Sequence, residues 1–375
     1  MGYASYVGRI GALAIALGVG AGLAATPLAA FADPGNGQGN GQNMSVSTNG
    51  ETRVQKGTAT SSADGQGSMA KAKGENSSAT ASGGDHNKAI ANGDGSFASA
   101  TDGDHNKAIA NGDAVEDPGS GMVFPTVALA GGGDGNTAKV QGDASTASAS
   151  GGDGNTATVH GFASQATTTN GDNNTATVTG DGSTARTGSF IEGIQGDNNT
   201  ATVTGDFSNA DAANGDNNTA TVTGDFGFAN ADGNNNTATV TGDNSAALAA
   251  GGANSTATVT GDNSGAFASG GDNNTATVDG DGSFATANGQ FGLDDHNNNT
   301  AVVTGDGSTA TAIGGANNTA TVTGDGSTAI AGPYNHDTAT VTGDGSSAIA
   351  GPGDFHTAIA TGDDVHVCDP DLFGC

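Results

Sequence analysis

The chain has 375 residues, with 39 acidic against 9 basic side chains, a net charge of −30, 67 Gly, no Trp and 34% hydrophobic residues. So acidic a surface is repelled by phosphate, which argues against nucleic acid and anionic membrane as partners. Most of the hydrophobic share is Ala, too small to fill a globular core, and only a repeat held in register argues against disorder.

Residues 1–32 differ in character from the rest of the chain. Arg9 precedes the apolar stretch "IGALAIALGVGAGLAATPLAAFA", which ends in Ala30-Phe31-Ala32 before Asp33. A base, an apolar run and an A-x-A site predict a secretory signal peptide cut between Ala32 and Asp33, and hence a secreted or cell-envelope protein with no membrane contact after cleavage. The run is also about long enough to serve as an uncleaved anchor. Residues 33–67 are rich in Gly, Asn and Gln and read as a linker with an irregular first coil.

From Gly74 onward a Gly-Asp pair, or its equivalent, returns as a ladder: Gly74, Gly93, Gly112, Gly142, Gly161, Gly180, Gly205, Gly224, Gly242, Gly261, Gly280, Gly305, Gly324, Gly343 and Gly362. Ten of the fourteen steps are 19 residues and one is 18; one of 30 and two of 25 mark insertions. In the unit "GDNNTATVTGDGSTA" (171–185), Asn174, Ala176 and Val178 share one parity and Thr175, Thr177 and Thr179 the other; after the turn Ser183, Ala185 and Thr187 fall together. Alternation of this kind predicts two short strands, N-x-A-x-V and S-x-A-x-A, separated by Gly/Asp/Asn turns.

Stacked at about 4.8 Å, such units make an all-β fold: a flattened, two-sheet parallel β-solenoid, β-roll-like, of about 15 coils over residues 68–363, forming a rod of roughly 70 Å. Ala and Val fill a thin interior, Thr lines the outside, and inward Asn residues stack as an amide ladder that satisfies turn backbone. An antiparallel meander is the rival, since Asp-Gly also marks hairpins. Asp206-Phe207, Asp225-Phe226 and Asp243-Asn244 do not hold that Gly, and Ala is too small to separate two packed sheets.

The N-x-A-x-V and S-x-A-x-A half-units resemble the repeat of curlin-type solenoid proteins, secreted subunits of bacterial surface fibres, over about residues 68–363. That resemblance implies the coil geometry and a self-assembling fibre subunit, although curlin-like repeats carry a Gln after the strand where this chain has Thr or Gly. Separately, "MGYASYVGRIGALAIALGVGAG" is similar to the leaders of mycobacterial secreted Gly/Ala-rich proteins, which implies an envelope or extracellular destination.

One file of acids follows the ladder Gly: Asp181, Asp206, Asp225, Asp243, Asp262, Asp281, Asp306, Asp325, Asp344 and Asp363. A second, at the opposite turn, includes Asp134, Asp153, Asp172, Asp197, Asp216 and Asp272, with lapses at Asn234, Ala253, Asn297 and Ala316. Stacked carboxylates about 5 Å apart repel by about 1 kcal/mol each in water. Calcium between them would make the chain a calcium-binding β-roll folding on export, and "GGDGNTATV" at 132–140 and 151–159 is partly similar to the calcium-binding nonapeptide, with Asn136 and Asn155 where Asp is expected. The alternative is that Asp serves the turns through side-chain-to-backbone bonds. Outward Thr-x-Thr rows could order water at an ice surface or simply suit an exposed strand.

Insertions at 114–131, 186–195 and 288–298 concentrate apolar residues, and all three read as leaving the end of the second strand, on one edge. Phe124, Phe190, Ile191, Phe291 and Leu293 are the candidate partner-binding residues there, or a local cover. Residues 364–375 read as a C-terminal cap closed by a Cys368–Cys375 disulfide; a metal site with His366 lacks a recognisable ligand spacing. No G-x-S-x-G, H-E-x-x-H or P-loop is present, so no enzyme and no cofactor beyond calcium is predicted. The expectation is a secreted structural or adhesive protein whose partners are a surface or matrix ligand, or further copies of itself.

Overall fold

A computed structural model describes residues 43–189, 195–289 and 298–368. The fold is an all-β solenoid of about 16 turns, roughly 19 residues apart, built from two stacked parallel sheets. Successive strands alternate between the sheets, and the described chain falls into two compact units, one ending at Thr187 and one starting at Gly188.

The first unit opens with a departure from the repeat. Strands β1 (Met44–Thr48) and β2 (Glu51–Lys56) form an antiparallel hairpin, and β1 also pairs antiparallel with β4 (Met69–Lys73). Between them, β3 (Thr60–Ala63) already pairs parallel with Ser78–Ser82 in the second sheet. The hairpin turns the first sheet's edge into β2, whose Glu51, Arg53 and Lys56 are exposed. Charges of this kind discourage pairing at an edge.

Beyond β4 every solenoid pairing is parallel, which settles the solenoid against the meander. Ala138, Ala157 and Ala176 stand in register in the first sheet, as do Val140, Val159 and Val178. The second unit repeats this from Val203 through Val222, Val240, Val259, Val278, Val303 and Val322 to Val341. All of these Val and their Ala neighbours have no solvent exposure. Each Val contributes about 1.5–3 kcal/mol by burial, and the pleat sends the intervening Thr outward.

Polar files close the interior at each end of the strands. Asn155 Oδ1 accepts the Asn174 N–H at 2.9 Å while its Nδ2 donates to the Gly171 carbonyl at 2.8 Å, and the same pattern recurs through Asn199, Asn218 and Asn236. At the opposite turn Ser245 Oγ donates to the Gly261 carbonyl at 2.7 Å and accepts the Ser264 N–H at 3.1 Å. Each side chain thus bonds forward to the next coil, so turn backbone without a strand partner stays satisfied. The turn Gly is required by the same stacking: at Gly205 φ is +146°, and a Cβ would lie 2.0 Å from the Gly224 carbonyl oxygen.

One expectation fails here. The broken period predicts that residues 114–131 are an insertion at the end of the second strand. Val127–Gly131 is instead a core strand of the second sheet, in register with Phe97–Thr101 and Thr146–Ser150. The true interruption leaves after Ala114 and returns at Thr126, which takes the Ser place and donates to the Asp113 and Gly142 carbonyls. It therefore follows the first strand of its coil, whereas residues 190–194 and 290–297 follow second-sheet strands in the chain and lie outside the described residues.

Candidate functional site

The acidic turns carry the repeat's chemistry. In the file after the ladder Gly, the N–H of each Asp donates to Oδ1 of the Asp one coil on. Asp206 to Asp225, Asp225 to Asp243 and Asp243 to Asp262 are each 2.8 Å; Asp262 to Asp281 and Asp281 to Asp306 are 2.9 Å. Asp306 to Asp325 and Asp325 to Asp344 continue it, and Asp181 accepts from the Phe162 N–H in the first unit. The second file does the same from Asp134 to Asp153, Asp153 to Asp172 and Asp197 to Asp216. Where Asp gives way to Asn234, the amide Oδ1 accepts the Asp216 N–H at 3.0 Å, so the bond needs the oxygen and not the charge.

The calcium candidates, the aspartates of the two predicted files other than Asp272 and Asp363, are therefore arranged as two files of single carboxylates. One oxygen of each acceptor is engaged by a backbone N–H, a charge-assisted bond that offsets part of the repulsion along the file. Among the described residues no three His, Cys, Asp or Glu side chains gather as a metal-holding group.

The turn position between Asp and the inner polar residue is left-handed, with φ of 52–67° at Asn, His, Asp, Ala and Phe residues. Aromatic rings at this position stack between coils: His86 on His105 at 4.9 Å, Phe207 on Phe226 at 5.3 Å and His336 on Phe355 at 4.6 Å. The recurrence of "GDHNKAIANGD" is the sequence signal for His86 and His105. Phe207 and Phe226 share that 19-residue spacing, which is the signal that would have revealed their stack.

Of the candidate partner-binding residues, Phe124 lies in a small antiparallel hairpin, Val115–Glu116 with Val123–Phe124. Asp117 shapes its turn, accepting from the Gly119 N–H and the Ser120 hydroxyl. Phe124 is half-buried, while Met122 and Val123 are exposed. Phe190, Ile191, Phe291, Leu293, the Ala32–Asp33 junction and Cys375, with it the expected Cys368–Cys375 loop, lie outside the described residues.

The two outer faces differ. On the first sheet of the second unit, from Thr200–Thr204 to Thr338–Thr342, the outward positions hold Thr at 22 of 24 places, Asp279 and Val302 being the exceptions. On the second sheet the first two outward places of the eight strands that follow these, one after each, hold Thr at 4 of 16, the rest being Asn, Asp, Phe, Ala, Leu, Gly, Ile and Ser. Compared with known protein families, curated proteins and solved structures, the chain matches none.

Proposed function

We propose that this protein is an exported, non-enzymatic structural and adhesive component of a cell surface or extracellular matrix, and that the threonine face of the first sheet is its adhesive surface. One observation carries the reading: the unequal constancy of the two outer faces. Both are strand surfaces in the same repeats, so β-propensity favours Thr equally on each and both have had the same opportunity to diverge. Thr is held on one face only. A lattice of hydroxyl and methyl groups repeating along and across strands suits a repetitive solid surface rather than a single small ligand.

The test is co-sedimentation of residues 33–375 with isolated bacterial cell envelopes, crystalline chitin and crystalline cellulose. Wild type is expected to pellet with at least one of these. The variant Thr221→Lys, Thr239→Lys, Thr258→Lys, with an unchanged β spectrum, is expected to remain in the supernatant. If it pellets as wild type does, the threonine face is not the adhesive surface. If neither protein pellets but thermal hysteresis exceeds that of albumin, the face orders ice instead.

A second reading is the curlin-like fibre subunit. Thr357–Thr361 has a first-sheet partner on one side only among the described residues, and Ile359 on it is exposed. This strand therefore offers an edge for growth. The charged β1–β2 hairpin of the first unit works against it.

A further inference from the structure

Seven of the chain's nine basic residues lie between Arg53 and Lys139, and none follows Arg186. Five of them, Lys71, Lys73, Lys88, Lys107 and Lys139, project from the outer face of the first sheet. Strand register places Met69, Lys88, Lys107 and Thr137 in one file, Lys71, Ile90, Ile109 and Lys139 in the next, and Lys73, Asn92, Asn111 and Gln141 in the third. None of the five ammonium groups has an ion-pair or hydrogen-bond partner among the described residues. Half-buried Met69, Ile90 and Ile109 sit among them, and Val46 of β1 extends the middle file. Lys88 and Lys107 face each other across adjacent strands, where like charges are unfavourable. This is a basic patch with an apolar centre on an otherwise anionic molecule.

We infer that this patch docks a second copy of the same chain, along the file Asp225, Asp243, Asp262, Asp281, Asp306, Asp325, Asp344 and Asp363. Three features of that file select it. All eight carboxylates are exposed, and they lie in a unit with no Lys or Arg. Each spends Oδ1 on the preceding coil's N–H, leaving Oδ2 for an incoming ammonium group. Both surfaces repeat once per coil, so lysines one or more coils apart meet aspartates at the same separation. At physiological ionic strength charges interact over about 8 Å, so the local match acts while the remote repulsion of two anionic molecules is screened. Each copy carries both halves of the contact. The association therefore closes as a two-fold dimer or continues as a chain. Such pairing takes place in solution and does not depend on adhesion to a surface.

Sedimentation velocity of residues 33–375 in EDTA at 0.15 M salt tests it, with two variants. The lysine variant is K71E/K88E/K107E/K139E. The aspartate variant is D225N/D243N/D262N/D281N, in which the amide keeps the turn bond as Asn234 does. Wild type is expected to self-associate, and to lose this in 1 M salt, where the screening length falls to about 3 Å. Each variant alone is expected to associate at least about tenfold more weakly, the sum of several exposed pairs. Mixed at equal concentration they are expected to associate again, because one retains the aspartate file and the other the lysine patch. A wild type that stays monomeric overturns the inference, and binding of inorganic polyphosphate by that monomer would assign the patch to an anionic polymer. A lysine variant that associates as wild type does, or a mixture no larger than its components, overturns it equally.

Discussion

Ser68, Ser255, Asp337 and His356 stand where the inner amide file otherwise has Asn, and Ser255 and Asp337 show what the amide does. Ser255 accepts the Asn274 N–H and donates to the Gly271 carbonyl, both at 3.3 Å. These are long bonds for a group that must bridge coils. Ser255→Asn is expected to stabilise the chain by about 0.5–1.5 kcal/mol in urea unfolding, the net worth of better-made hydrogen bonds. Asp337 is completely buried. Its Oδ1 accepts the His356 N–H at 3.0 Å, but Oδ2 has no hydrogen-bond partner among the described residues, where Asn318 uses its amide nitrogen to reach the Ile313 carbonyl. Burial pushes the Asp337 carboxyl above the usual carboxylate range, against the smaller opposing pull of the His356 N–H and ring charge. The folded chain thus holds this proton more tightly than the unfolded chain. Stability from the site is complete below the unfolded pKa of about 3.9 and is lost as pH rises through the raised value. Asp337→Asn is expected to be more stable than wild type at pH 7 by about 1–3 kcal/mol, the cost of an unsatisfied buried polar group. Urea melts at pH 4 and pH 7 should show that advantage shrinking toward the acid end; an equal difference at both would mean that the carboxyl does not titrate on unfolding.

At the scale of the coil, stability depends on register more than on any one contact, since every strand, amide and serine bonds to its equivalent one coil away, most often 19 residues along the chain. Excising residues 243–261 joins Gly242 to Asp262 and restores each file. Excising residues 243–252 removes about half a coil and breaks all of them. The first deletion is expected to keep a β spectrum and a cooperative melt, and the second to lose the melt of the second unit, by circular dichroism. This dependence on register is also why the coil is legible in the sequence: the pleat converts parity directly into facing, so Asn174, Ala176 and Val178 declare themselves inward. Where that signal is diluted, legibility is lost. Val127, Ala128, Leu129 and Ala130 alternate like any strand, but Thr126 stands in the Ser place behind an interruption of the period, which makes the strand look like part of the insertion. The antiparallel pairing of β1 with β4 leaves no periodic trace at all. The Asp files are visible as residues but their bonds are not, because acceptor and donor lie a full coil apart and the choice between turn support and metal binding is made by geometry.

For the whole molecule the outstanding electrostatic question is how a chain of net charge −30 keeps its carboxylates in files. Repulsion of about 1 kcal/mol between neighbours, summed along a file, rivals a typical folding free energy of about 5–15 kcal/mol. The structure supplies one compensation, the N–H donated to Oδ1 at each step from Asp206 to Asp344. Those bonds are made within the chain and require no ion. Residues 33–375 are therefore expected to show the same β spectrum in EDTA as in millimolar calcium at fixed ionic strength. The melting temperature should rise from about 0.02 to about 0.5 M sodium chloride as screening weakens the repulsion that remains. Circular dichroism with thermal melting measures both. A random-coil spectrum in EDTA that calcium converts to β would make the files metal sites and the protein a calcium-binding β-roll that folds on export. A β spectrum indifferent to calcium but strengthened by simple salt would place the whole burden on the amide and serine files, the Ala/Val interior and the backbone N–H groups.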